Sequence, residues 1–277
     1  MMDKKPDGTI ELSLNITNTE VQAAKQSAIS TAALTMEIKG FRKGKAPTDV
    51  VEQHLDSQKI NEKVLDLLLP QKLSQALKTH NLRPIADPHL KVISMKPNQD
   101  WQFSVEIAQF PEFSLGDYLP KIKSALDATK IVTSKDAPQQ TDEKKLKQVF
   151  DTLLAEIDVI IPHMLIADEV NRTLSRLLQQ VQKLGLTIEA YLKSLDKTSE
   201  SLRQEYETTA TDNLKLEFIL QKISQDMNIA VDPKEVDAMI SAIPDEKTRA
   251  TYNSASQRSY ITSILRKRKT LDTLLSL

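Results

Sequence analysis

The 277-residue chain has no cysteine, five glycines and one tryptophan, and only 4% of its residues are aromatic. Without cysteine there are no disulfides, no thiol nucleophile and no Cys-ligated zinc. Scarce glycine and few aromatics argue against a β-sandwich or barrel and favour helices. The 37 lysines and arginines balance 38 aspartates and glutamates, giving a formal net charge of −1. Any polyanion-binding function must therefore be local rather than global. No run approaches the ~18 apolar residues of a membrane span. The amino-terminal stretch MMDKKPDGTIELSL lacks the apolar region of a signal peptide, so a cytoplasmic protein with no membrane partner is expected.

Catalytic patterns are equally sparse. His54, His80, His89 and His163 are scattered, with neither the i,i+4 pairing nor the cysteine partners of a zinc site. There is no nucleophile elbow, P-loop or kinase signature. Carboxylates such as Asp142, Glu143, Glu205 and Glu207 are interspersed with lysines and read as solvated helix faces. No catalytic residue, metal or cofactor is assigned.

The stretch that stands out is GFRKGKAP, Gly40 to Pro47. Two of the five glycines lie four positions apart here, and paired glycines mark a tight, shaped loop. Lys39, Arg42, Lys43 and Lys45 surround Phe41 with no acid among them. Pro47 suits the first turn of a following helix. Spacing alone leaves three readings: a solvated helix–helix connection, a phosphate cradle, or a docking tip with an aromatic anchor. The spacing fits neither a Walker A loop nor a dinucleotide fingerprint.

Over all eight positions this stretch resembles the signature loop of trigger factor, the bacterial ribosome-associated chaperone. The resemblance implies that the loop joins two helices of an amino-terminal domain and docks beside the nascent-chain tunnel exit, against ribosomal protein and rRNA. It implies ribosome-contacting roles for Phe41, Arg42, Lys43 and Lys45, and loop-shaping roles for Gly40, Gly44 and Pro47.

The rest of the chain is read by periodicity. Ile10, Leu12, Leu14 and Ile16 alternate within a strand from Thr9 to Ile16. Thr17 and Glu20 form a capping box opening a helix to about Glu37. A short helix from Thr48 to Leu55 precedes a longer one from about Lys59 to His80, which Pro70 is expected to kink or divide. Leu90–Met95 and Trp101–Ile107 alternate on either side of a turn and read as a hairpin. Strand, helix pair and antiparallel hairpin make an α+β domain over residues 1–114. The trigger factor resemblance covers this segment, including Phe110-Pro-Glu-Phe113.

Residues 115–140 are expected to be linker, because periodicity fades and charges scatter. Typical trigger factors carry an FKBP-type prolyl-isomerase domain about here, and so short a stretch cannot hold one, so no enzyme activity is expected. Residues 141–277 read as an all-α, arm-like domain: one helix opening at Thr141 with Leu146, Val149, Phe150, Leu153 and Leu154 on its stripe, then helices over about 164–184 (capped by Gly185), 187–195, 198–228 and 255–275, with Asp232-Pro-Lys-Glu235 starting another. Leu, Ile, Met and Val dominate its stripes, which either bury on one another or line an open surface for apolar segments. The resemblance favours the open arrangement. Arg266-Lys-Arg-Lys269 is expected to complement the last helix's macrodipole, with an rRNA contact as the alternative. Together the resemblance implies an ATP-independent chaperone that shields nascent or unfolded polypeptides, its client-contacting residues undetermined and weak self-association left open. The alternatives are a divergent peptidyl-prolyl isomerase and a ribosome-binding factor without clients.

Overall fold

The computed structural model describes residues 2–38, 41–42, 44, 47–132 and 138–277. The chain divides into two compact units, Met1–Phe110 and Pro111–Leu277.

The first unit is built on strands β1 (Met2–Lys4), β2 (Ile10–Ile16), β3 (His89–Ser94) and β4 (Trp101–Ile107), paired antiparallel in the order β1-β2-β4-β3. Alternation in β2 and β4 sends every second side chain to one face. Ile10, Leu12, Leu14 and Ile16 lie opposite Ile107, Val105, Phe103 and Trp101. None of the eight is more than 6% exposed, and full burial of such side chains contributes roughly 1.5–3 kcal/mol each. Helices α1 (Asn18–Thr35), α2 (Thr48–His54) and α3 (Ser57–Thr79) complete the unit. Val21, Ala24, Ile29 and Ala32 of α1 and Ile60 and Val64 of α3 join the sheet's apolar residues in one core. α3 runs unbroken through Pro70; the expected division is absent.

The sheet's other face is polar and presents a problem of like charge. Glu11 and Glu106 sit directly opposite each other, which is destabilising unless a cation intervenes. Lys5 supplies it, with Nζ 2.5 Å from Glu106 Oε1 and 3.3 Å from Glu11 Oε2, while Ser104 Oγ donates to Glu11 at 2.5 Å. The capping box read from the sequence is formed by Thr17 and Glu20. Glu20 also pairs with Lys72 of α3 at 2.7 Å. Asp100 accepts from the Asn18 backbone N–H at 2.8 Å and from Asn15 Nδ2 at 3.1 Å, tying the β3–β4 turn to the start of α1.

The second unit comprises α4 (Tyr118–Val132), α5 (Pro138–Glu156), α6 (His163–Lys183), α7 (Ile188–Ser194), α8 (Ser199–Asp226), α9 (Pro233–Ser241), α10 (Glu246–Tyr252) and α11 (Ala255–Leu275). α4 pairs with α5, α5 with α8, and α11 crosses α4, α5 and α8; α6 pairs with α8 and α7, while α9 and α10 pack on α11. The segment expected to be linker is therefore largely helical. Its residues Tyr118, Ile122 and Leu126 are buried at a four-residue spacing, a stripe that the intervening charges and Pro120 obscure in the sequence.

Helix ends in a glycine-poor chain need another source of left-handed backbone. Gly185 (φ 70°) follows α6 as expected: its N–H donates to the Gln182 carbonyl, and that of Leu186 to Val181. This is the Schellman arrangement. The same double closure recurs after α3, α7 and α8 with Asn81, Asp196 and Asn228 at φ 52°, 53° and 52°. Asn and Asp tolerate that region better than other side-chain-bearing residues.

The ion pairs on unit 1 carry a pH signature. Glu11 is held below the ordinary carboxylate range by the Ser104 hydroxyl and then by Lys5. Lys72 and the Thr17 N–H lower Glu20, and the Asn18 N–H and Asn15 amide lower Asp100. A carboxylate depressed in the folded state contributes stability above its unfolded pKa and loses it as pH falls through the folded value. The urea midpoint of unit 1, followed by the fluorescence of Trp101, the single tryptophan, should hold near neutrality and fall on acidification below about pH 4. A midpoint that does not change with acidification would show these pairs to be idle.

Candidate docking site between α1 and α2

The connection from α1 to α2 begins where α1 is closed by the Met36 N–H donating to the Ala32 carbonyl at 2.9 Å. Ile38, 6% exposed, then dips into the unit 1 core, and Val51 of α2, at 0%, enters the same core on the far side. Two buried side chains thus pin both legs of the loop. The Phe41 N–H donates to the Ile38 carbonyl at 3.0 Å, turning the chain outward. Phe41 is 43% exposed, and Arg42 is exposed beside it. A half-exposed phenyl ring here is an apolar group offered to solvent.

Gly44 has φ 75°. A Cβ there would meet the Leu34 carbonyl oxygen at 3.3 Å, so both backbone conformation and space call for glycine. Gly44 thus lies against the end of α1, where Leu34 is itself 70% exposed. Pro47 occupies the N-cap of α2 rather than the first helical position, and its carbonyl accepts from the N–H groups of Val50 and Val51, each at 3.1 Å. Gly40, Lys43 and Lys45 lie outside the described residues. Of the expected site residues, Phe41, Arg42, Gly44 and Pro47 are placed on one connection. Ile38, Val51 and Leu34 were not singled out by sequence. Only Val51, an aliphatic residue within a short amphipathic helix, carried a signal for its role.

The second basic cluster resolves differently. Lys267 pairs with Glu217 of α8. Lys269 reaches Glu235 of α9 at 2.7 Å and the Ala230 carbonyl at 3.2 Å. Two of the four cations therefore fasten α11 to its neighbours, leaving Arg266 and Arg268 exposed. The expected macrodipole role does not apply, because the last turn of α11 holds no basic residue. Among the described residues no group of three or more His, Asp or Glu side chains comes together as a metal site.

Exposed apolar side chains occur on both units, and on the second they gather in two places. Around the α6–α7 turn Leu178, Leu184, Leu186 and Leu195 are 41%, 74%, 46% and 43% exposed, although Val181, Leu192 and Leu202 beside them are buried. On the α9–α11 side Met239, Tyr260 and Ile264 are 45%, 59% and 37% exposed. The stripes read from sequence are thus only partly used in packing.

Comparison with known proteins gives concordant results. Residues 2–144 match the family described as "Bacterial trigger factor protein (TF)", and residues 129–276 match "Bacterial trigger factor protein (TF) C-terminus". The two matches overlap over residues 129–144, so no interval separates them for a third domain. The trigger factor of Streptococcus agalactiae serotype III (strain NEM316) is 28% identical over 134 residues, 48% of this chain and 31% of that protein. That of Listeria welshimeri serovar 6b is 30% identical over 116 residues, 42% of this chain and 27% of that protein. The matched region thus spans about a third of the length of these curated relatives. A solved trigger factor chaperone, described for promiscuous substrate recognition in folding and assembly activities, superposes with a TM-score of 0.65 at 14% identity, covering 100% of this chain and 99% of that one. At that identity the likeness concerns the fold. Since each of the two family matches spans more than half of the 277 residues, the chain belongs to the bacterial trigger factor family.

Proposed function

We propose that this protein is a nucleotide-independent chaperone of the cytoplasm that docks at the ribosomal tunnel exit through the α1–α2 connection and shields emerging polypeptides with its helical unit. The observation that carries the docking reading is the exposed Phe41–Arg42 pair on a loop pinned by Ile38 and Val51. Phe41 acts as the apolar anchor; withdrawing such a ring from water contributes up to roughly 1.5–3 kcal/mol. Arg42, with Lys43 and Lys45, meets acidic protein or rRNA phosphate, where a planar guanidinium can bond in a bidentate manner. Because Ile38 and Val51 at the two ends of the connection are already buried in the core, those ends need no further ordering on docking.

The shielding reading rests on the exposed aliphatic groups of the second unit, including Leu178, Leu184, Leu186 and Leu195 near α7. Aliphatic and methionine side chains conform to many partner shapes and suit weak, unselective contact with apolar segments. Tethering at the ribosome raises the local concentration of nascent chain, so each contact can be weak and still act. With the two family matches overlapping at residues 129–144, we assign no prolyl-isomerase activity to the chain.

Co-sedimentation with ribosomes at low salt tests the first half. The native protein should pellet with ribosomes, and a Phe41→Ala/Arg42→Ala variant should bind about tenfold or more weakly, as loss of an anchor residue entails. Equal pelleting would remove the loop from docking. For the second half, a molar excess of protein should suppress aggregation of a chemically unfolded client without nucleotide, and replacing Leu184 and Leu186 with serine should weaken that suppression. Client aggregation unaffected by the native protein would leave a ribosome-binding factor without chaperone action.

A further inference from the structure

The two edges of the unit 1 sheet differ. β1 spans three residues and carries Asp3 and Lys4, the short, charged kind of edge that resists pairing with another chain. β3, at the opposite end of the order, is six residues long, HLKVIS. Leu90 and Val92 lie opposite Val105 and Phe103 of β4, which places them on the core-facing side of the sheet. Yet Val105 and Phe103 are each 1% exposed, whereas Leu90 is 39% and Val92 52% exposed. The apolar layer stops one strand short, leaving β3 with an open edge and an unfinished apolar face.

We propose that the β3 edge accepts an extended segment of another polypeptide as a fifth strand, one in which apolar residues alternate with aspartate or glutamate. Three features define that occupant. The open edge offers backbone donors and acceptors in extended geometry, which only an extended backbone complements along its length. Leu90 and Val92 provide an apolar surface for every second side chain of the incoming strand. Lys91, on the polar face opposite Ser104, is exposed and within electrostatic reach of Glu11, and an acid at the alternate position of the incoming strand would add a directly opposed cross-strand partner. The register shift between Val92 and Ser94 limits regular pairing to the first part of the strand and makes the site short.

A second copy of the chain fits this edge poorly. Antiparallel pairing of β3 with itself that keeps Leu90 and Val92 on the apolar face sets Lys91 against Lys91, His89 or the irregular Ile93 of the other copy. The first two oppose like or polar groups, and the third falls at the bulge. The inference concerns unit 1 alone and depends on neither ribosome docking nor client shielding.

The test uses the full chain with two capped synthetic heptapeptides, one alternating valine with glutamate and one alternating valine with glutamine. The glutamate peptide should bind saturably at up to millimolar concentration and slow hydrogen exchange of β3 amides about tenfold. The glutamine peptide should bind about two- to fivefold more weakly, the range of a cross-strand charge pair. That difference should vanish in Lys91→Gln, and Val92→Thr should weaken both peptides. Unchanged Trp101 fluorescence and urea midpoint in both variants would show that unit 1 remains folded. No saturable binding, protection confined to elements other than β3, or equal binding of both peptides by the native protein would overturn the proposal. Concentration-dependent protection of β3 without peptide, accompanied by self-association in sedimentation, would overturn it in favour of a second copy as occupant.

Discussion

What the α1–α2 connection can do depends on the burial of Ile38 and Val51. These two side chains lie in the same apolar cluster as the β2–β4 face, so the loop between them is stapled to the most tightly packed part of unit 1. A phenyl ring in solvent is ordinarily a liability, because it can collapse onto its own chain or recruit chance partners. Here Ile38 and Val51 anchor the two ends of the connection in the core, and Gly44 has a left-handed backbone that closely approaches Leu34.

A similar economy governs the helical unit. Its cations are divided between structure and solvent, with Lys267 and Lys269 binding α11 to α8 and α9. Surface ion pairs contribute little individually, so these pairs set the relative placement of helices more than they hold the unit together. Its stability rests on buried aliphatic groups such as Leu153, Ile157, Ile219, Ile223 and Leu274. Packing thins toward the α6–α7 turn, where leucines are left in solvent. Exposed leucines and a well-packed core thus coexist on the same helices.

Much of this was legible in the residues because the signals were strong and local. Strict alternation from Ile10 to Ile16, the Thr17–Glu20 box, and the Asp232-Pro start each correspond to one physical device, and each is present. What escaped lacked such a device. β1 is held by pairing with β2 rather than by alternation of its own. α10 buries no residue and so has no apolar stripe. α4 has a stripe, but one interrupted by lysines and preceded by a run without periodicity. At the candidate site, the glycines and charges were visible, whereas the pinning by Ile38 and Val51 was not, because burial across a loop is a tertiary property that spacing does not encode.

We infer that the shape of the α1–α2 connection, and not its charge alone, carries docking. Gly44→Ala tests it most directly, since it alters neither the ring nor any cation. The alanine Cβ would crowd the Leu34 carbonyl and strain the left-handed backbone, which should reshape the loop while the core beneath it stays intact. Ribosome affinity should fall about tenfold or more, as loss of a well-placed anchor entails, with Trp101 fluorescence and the urea midpoint near the native values. Undiminished ribosome binding by a folded Gly44→Ala protein would contradict it.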